Sequence, residues 1–139
     1  MDERIEDVMT PNPTTIPASA TVTAAARAMR DHDIGDVVVL EDSRPCGIVT
    51  DRDLVVRAVA AGKDPASTLV ADICSRELAT VSRKDSLEDA RRVMREHALR
   101  RVPVVDDGTL IGIVSIGDLA ALHDPDSALG IISAAAPNR

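Results

Sequence analysis

The sequence predicts an α/β (α+β) fold made of two tandem β-α-β-β-α units packed about a pseudo-two-fold axis. Three observations predict it: the chain repeats itself, each copy has one amphipathic helix between short β-rich runs, and one copy alone is too small to cover its own sheet. The repeat is the strongest of these and is the feature to seek first. Shifted by 65 positions, residues 8–54 align with a second stretch of the same chain without a gap. Ala25, Arg27, Met29, Arg30 and His32 fall on Ala90, Arg92, Met94, Arg95 and His97. Val37, Val39 and Asp42 fall on Val102, Val104 and Asp107, and Gly47, Val49, Asp53 and Leu54 fall on Gly112, Val114, Asp118 and Leu119.

Each copy opens with a short strand, at residues 14–17 and 79–82. A helix follows at about residues 21–33, with Val22, Ala25, Ala26 and Met29 on one face. Its counterpart at residues 86–97 carries Leu87, Ala90, Val93 and Met94. Both stripes have the three-and-four spacing of a helix with one buried side. Two β-rich runs come next, 37–40 with 46–50 and 102–105 with 110–115, joined by turn-forming residues as in hairpins. A second helix closes each copy, at 51–61 and 117–122. Gly62-Lys63-Asp64-Pro65 reads as the break between copies. The expected division is therefore repeat 1 with an N-terminal segment at 1–66, repeat 2 at 67–123, and a tail at 124–139 whose residues 127–136 could form a short helix.

Composition narrows the function. A hydrophobic share of 45% and a charged share of 28% in 139 residues suit one folded module. The chain has no Phe, Trp or Tyr, so its core is aliphatic and no base can stack on an aromatic side chain. The net charge of −7 opposes binding to nucleic-acid backbones. The first residues, MDERIEDVMT, hold no apolar signal segment, and no apolar run reaches the length of a membrane span, so the expected location is the cytoplasm. Cys46 and Cys74 read as small core thiols and not as a metal cluster or disulfide framework. His32 and His97 end matching helices, where an imidazole suits the helix dipole. No nucleophile–base–orienter set, P-loop or dinucleotide turn is present, so no enzyme activity is expected.

Two stretches carry a family resemblance. Gly47-Ile48-Val49-Thr50-Asp51-Arg52-Asp53 and Gly112-Ile113-Val114-Ser115-Ile116-Gly117-Asp118 fit the pattern Gly-apolar-x-Thr/Ser-x-x-Asp of cystathionine-β-synthase-type (CBS) repeats. Arg101-Val102-Pro103-Val104-Val105-Asp106 resembles the family's second-strand signature, whereas repeat 1 has Val38 in place of the proline. The resemblance spans about residues 4–122 and identifies the chain as similar to stand-alone bacterial CBS pairs.

That resemblance implies a regulatory module with two clefts between the repeats. The implied ligand is an adenosine nucleotide (AMP, ADP or ATP), with S-adenosylmethionine also in the class, and no cofactor is required. It implies a homodimer formed through leftover helical faces and a separate protein partner that receives the signal, with no nucleic acid or membrane involved. A ligand-free dimerisation or interaction scaffold is the alternative.

The Thr50-x-x-Asp53 and Ser115-x-x-Asp118 spacings admit two roles. Each is a helix capping box, as is Ser86-x-x-Asp89. By resemblance each is also a ribose site, where a carboxylate accepts from the 2′ and 3′ hydroxyls and Thr50 or Ser115 adds a bond. The resemblance gives the Asp53 cleft Arg100 for phosphate, with Leu99 and Ala79 lining the base. It gives the Asp118 cleft Arg52, with Ile34, Gly35 and Thr14 nearby. As a plainer alternative, these arginines are solvated surface charge.

Overall fold

Two sheets, one per repeat, organise the chain. The computed structural model describes residues 3–76 and 78–123. The elements run α1 (Ile5–Val8), β1 (Thr10–Pro11), β2 (Thr15–Pro17), α2 (Val22–His32), β3 (Asp36–Glu41) and β4 (Arg44–Thr50). Then come α3 (Asp51–Asp53), a π-helical continuation at Leu54–Val59, a 3-10 turn at Val70–Asp72, β5 (Val81–Ser82), α4 (Leu87–His97), β6 (Arg101–Asp106), β7 (Thr109–Ser115) and α5 (Ile116–His123). The tail expected at 124–139 lies outside the described residues.

Local chemistry explains the helices. The Thr21 hydroxyl accepts from the Ala24 N–H at 3.1 Å, and the Ser86 hydroxyl accepts from the Asp89 N–H at 3.1 Å, so α2 and α4 start on capped ends. The predicted stripes face inward: Val22, Ala25 and Met29 are buried on α2, and Leu87, Ala90 and Met94 on α4. Both helices end in a left-handed residue, Asp33 with φ 56° and Ala98 with φ 52°, whose N–H closes the last turn.

The sheets repeat one another as well. β2 runs parallel to β3, and β3 antiparallel to β4; β5, β6 and β7 do the same. Val39 opposes Gly47 while Leu40 opposes Pro45, which leaves Cys46 as the extra residue of a bulge. Ile111 is the extra residue at the matching place in β7. Val37, Val39 and Val49 enter one apolar core, and Val102, Val104 and Val114 the other.

The structure departs from the expected division. The segment before each repeat docks on the sheet of the other repeat. Thr10 of β1 pairs with Ile113, and Ser75 pairs with Ile48, again 65 residues apart on both sides. Ile5 is fully buried in the core of repeat 2, while Val70, Ile73 and Cys74 fill the core of repeat 1. The compact units are therefore residues 14–78 and residues 3–13 with 79–123, in place of 1–66 and 67–123. Apolar side chains decide this, because each lead-in segment buries its Ile or Val only by crossing over.

The helix expected over 51–61 also differs. After Asp53 it widens into π geometry, with the Ala60 N–H bonded to the Val55 carbonyl at 2.8 Å and the Lys63 N–H to the Ala58 carbonyl at 3.0 Å. Leu54 and Ala58 remain buried, and Val55, Val56 and Val59 face outward. α5, its counterpart, is a regular α-helix.

Candidate functional site

Both predicted Thr/Ser-x-x-Asp turns form, at the junction of a bulged strand with a helix. Asp53 Oδ2 accepts from the Thr50 N–H at 2.9 Å, and Thr50 Oγ1 accepts from the Asp53 N–H at 3.1 Å. Asp118 Oδ2 accepts from the Ser115 N–H at 2.9 Å, and Ser115 Oγ from the Asp118 N–H at 3.0 Å. The capping role is thus present at both sites. It engages Oδ2 and leaves Oδ1 with acceptor capacity. The Ser86–Asp89 box has the same two bonds, so capping geometry by itself does not distinguish a ligand site from a plain helix start.

The surroundings do distinguish them. In each unit the box lies beside the residue that precedes the second strand. The Asp51 N–H donates to the Gly35 carbonyl at 2.9 Å, and the Ile116 N–H donates to the Arg100 carbonyl at 2.8 Å. Ile34 and Leu99 stand just ahead, their N–H groups bonded to the Met29 and Met94 carbonyls at 3.0 and 2.8 Å. Thr14 adjoins the same sheet end, its carbonyl accepting from the Val38 N–H at 3.1 Å. The residue set Thr14, Ile34, Gly35, Thr50, Arg52 and Asp53 therefore falls in one unit. Ala79, Leu99, Arg100, Ser115 and Asp118 fall in the other. Ile34, Leu99, Thr14 and Ala79 are half-buried; Gly35, Arg52 and Arg100 are exposed.

Two residues at these turns escaped the sequence reading. Arg57 lies 3.7 Å from Asp53 Oδ1 through its Nε and donates to the Ile73 carbonyl at 3.1 Å. It thus ties the Asp53 carboxylate to the docked segment. Asp51 places Oδ2 about one van der Waals contact from Gly35, at 3.1 Å from where a Cβ would stand. The signal for both was the break in the repeat, since the corresponding positions hold Leu122 and Ile116.

The glycine that opens each motif has a steric cause. A Cβ on Gly47 would collide with the Ser75 carbonyl oxygen, and one on Gly112 with Met9 Sδ. The motif glycine thus admits the crossing segment. Cys46 and Cys74 are free thiols, and burial pushes both above the usual thiol range. His32 and His97 occupy the last turns of α2 and α4 as expected. Among the described residues, no group of three or more His, Cys, Asp or Glu side chains could hold a metal ion. No described helix is long and apolar enough to cross a membrane.

Known proteins share this architecture. The CBS domain family model matches residues 5–59 and 70–123. The chain is 40% identical over 116 residues to the CBS domain-containing protein YhcV of Bacillus subtilis, covering 84% of this chain and 82% of that protein. It is 38% identical over 124 residues to hypoxic response protein 1 of Mycobacterium tuberculosis, covering 88% and 86%. The crystal structure of Hypoxic Response Protein I, which has two coordinated zinc ions, superposes with a TM-score of 0.79 at 37% identity, covering 88% of this chain and all of that one. A hexameric CBS-CP12 protein from bloom-forming cyanobacteria superposes with a TM-score of 0.78 at 31% identity, covering 90% and 74%. The chain belongs to the CBS-domain family and carries two CBS repeats, each closed by a Thr/Ser-x-x-Asp turn.

Proposed function

We propose that the chain is a regulatory module that senses an adenosine nucleotide of the AMP, ADP or ATP class and signals to a separate protein. CBS domains are regulatory modules that commonly bind adenosine ligands. The observation that carries the proposal is the doubled turn. Asp53 and Asp118 each have one carboxylate oxygen fixed by a cap N–H, beside a strand-end residue whose carbonyl is tied to the same turn. A fixed carboxylate accepts a ribose hydroxyl without first losing side-chain freedom, and a bond to a charged acceptor is worth roughly 1.5–3 kcal/mol. Adenine lies against aliphatic side chains such as Ile34 and Leu99 in this reading, with base edges met by backbone groups. Arg100 and Arg52 meet phosphate groups in this reading, and Ala79 and Thr14 line the base. Thermal-shift screening against AMP, ADP, ATP and S-adenosylmethionine tests the reading, since a ligand specific for the folded state raises the melting temperature by mass action. No shift with any of them at millimolar concentration contradicts it.

The module acts as a homodimer in this proposal. Val55, Val56 and Val59 on the π-helical stretch and Ile116 on α5 are large, apolar and 44–66% exposed. A groove of about 370 Å³ lies between α4 and α5, lined by Met94, Leu99, Ile116 and Leu119. Self-pairing of such faces removes apolar surface from water in the commonest closed symmetry. The same valines favour the second reading, a scaffold that associates without ligand. Light scattering with and without AMP separates the two, because the scaffold's mass and stability ignore nucleotide.

A further inference from the structure

The groove between α4 and α5 lies within one compact unit, and its chemistry is unlike that of the chain as a whole. Met94, Leu99, Ile116, Leu119 and Ala120 give it an apolar lining, of which Ile116 is 44% exposed. Its charged lining residues are Arg91 and Arg95, four residues apart on α4, and no acid lines it among the described residues. Arg91 lies 3.5 Å from Glu88 of its own helix. Arg95 makes no ion pair or side-chain hydrogen bond among the described residues. A chain of net charge −7 thus carries an apolar groove that is locally cationic. The chain also continues from this groove. α5, one of its walls, ends at His123, and 16 residues follow (139 − 123). They open with Asp124-Pro125-Asp126, which holds the only acids of the segment, and a proline just past a helix end stops that helix. Leu129, Ile131 and Ile132 come next, and Leu129, Ile132 and Ala136 recur at helical spacing. The α5 wall is about 12 Å long at 1.5 Å per residue, and a helix over 127–136 spans about 15 Å.

We infer that residues 124–139 dock in the α4–α5 groove of their own chain. Leu129, Ile131 and Ile132 pack against the apolar lining, and Asp124 and Asp126 face Arg91 and Arg95. Three observations converge on this occupant: two acids match two arginines, a large apolar trio matches an apolar lining of similar length, and the segment starts where the groove's own wall stops. A segment joined directly to that wall meets the groove at an effective concentration of order millimolar, so a modest contact suffices to fill it. The docking has a regulatory consequence, and this part rests on the homodimer proposed above. The groove is also a self-pairing face there, so the tail competes with a second copy for it and sets the concentration at which the dimer forms.

Binding of anilinonaphthalene sulfonate to the full chain tests the inference, because the dye is itself apolar and anionic. Leu129→Ser, Ile131→Ser and Ile132→Ser made together are expected to bind the dye about tenfold more tightly than the wild type, with a cooperative melting transition retained. Ile116→Gln added to these three is expected to remove the gain, which places the dye in the groove. Asp124→Asn with Asp126→Asn keeps the apolar residues and is expected to give a smaller gain in the same direction. A peptide of residues 124–139 is expected to displace the dye from the triple variant, and the same peptide with the three serines is not. Arg91→Gln with Arg95→Gln is expected to weaken that displacement several-fold. Equal dye binding by the wild type and both tail variants, or a peptide that displaces nothing, overturns the docking. Light scattering reads the competition: the triple variant is expected to self-associate at a concentration about tenfold lower than the wild type. An unchanged association in a chain that does dimerise overturns the competition. Monomer in every variant, with the dye results as expected, removes the homodimer reading and leaves the docking intact.

Discussion

At the scale of single residues, the motif glycines show what the Gly-apolar-x-Thr/Ser-x-x-Asp pattern encodes. Gly47 faces a backbone carbonyl and Gly112 the tip of a methionine. Overpacking costs roughly 1–3 kcal/mol, and the sum depends on whether the neighbour can yield. Gly47→Ala is therefore expected to lower stability by about 2–3 kcal/mol, and Gly112→Ala by clearly less, because Met9 swings aside more readily than Ser75. Denaturant unfolding of the two variants checks the order. Ala98 gives a test of opposite sign. It holds a left-handed conformation at φ 52°, ψ 44°, which costs an L residue roughly 1–2 kcal/mol and glycine almost nothing. Ala98→Gly is expected to raise the melting temperature by several degrees. Asp89 supplies a pH dependence. The Ser86 backbone N–H and hydroxyl hold its pKa below the usual aspartate value of 3.8. A folded-state pKa lowered in this way gives stability that is present above pH 3.8 and is lost as pH falls through the folded value. Asp89→Asn should therefore narrow its gap from the wild type as the pH falls below about 4.

Elements differ in how far the sequence announces them. α2 and α4 were legible to within a residue, because Val22, Ala25 and Met29, and Leu87, Ala90 and Met94, repeat at helical spacing and Thr21 and Ser86 cap them. The hairpins were legible from their valine runs and turn residues. α1, β1 and the turn at Val70–Asp72 were not, since four, two and three residues carry no periodicity. Their crossing is decided by which core receives Ile5, Val70 and Ile73, a long-range fact. The π-helical stretch has no local signature either. The site showed the same split. Both capping boxes could be read from spacing, whereas Arg57 and Asp51 act through contacts with Ile73 and Gly35 that no spacing reveals. The crossing makes its own prediction. Ile5 is fully buried in the repeat 2 core, so Ile5→Ala should cost about 2–4 kcal/mol. Hydrogen exchange should then quicken at Ile113 in β7 while Ile48 in β4 holds its protection.

At the scale of the whole molecule, the sequence repeat becomes two units with separate aliphatic cores and the same turn at the same place. Each unit supplies one Thr/Ser-x-x-Asp carboxylate and one strand-end residue, Gly35 or Arg100. The doubling, more than either turn alone, supports a sensor, because Ser86 and Asp89 form an identical box in an ordinary helix start. The most direct measurement compares AMP with 2′-deoxy-AMP by titration calorimetry, on the wild type and on Asp53→Asn and Asp118→Asn. Loss of one bond to a charged acceptor corresponds to roughly 1.5–3 kcal/mol, or at least about tenfold in affinity. The account predicts that the wild type prefers AMP by that factor, that Asp53→Asn loses AMP affinity at one site, and that Asp118→Asn spares that site. Equal affinity for the two nucleotides, with isotherms unchanged in both variants, would show that the carboxylates serve only as helix caps.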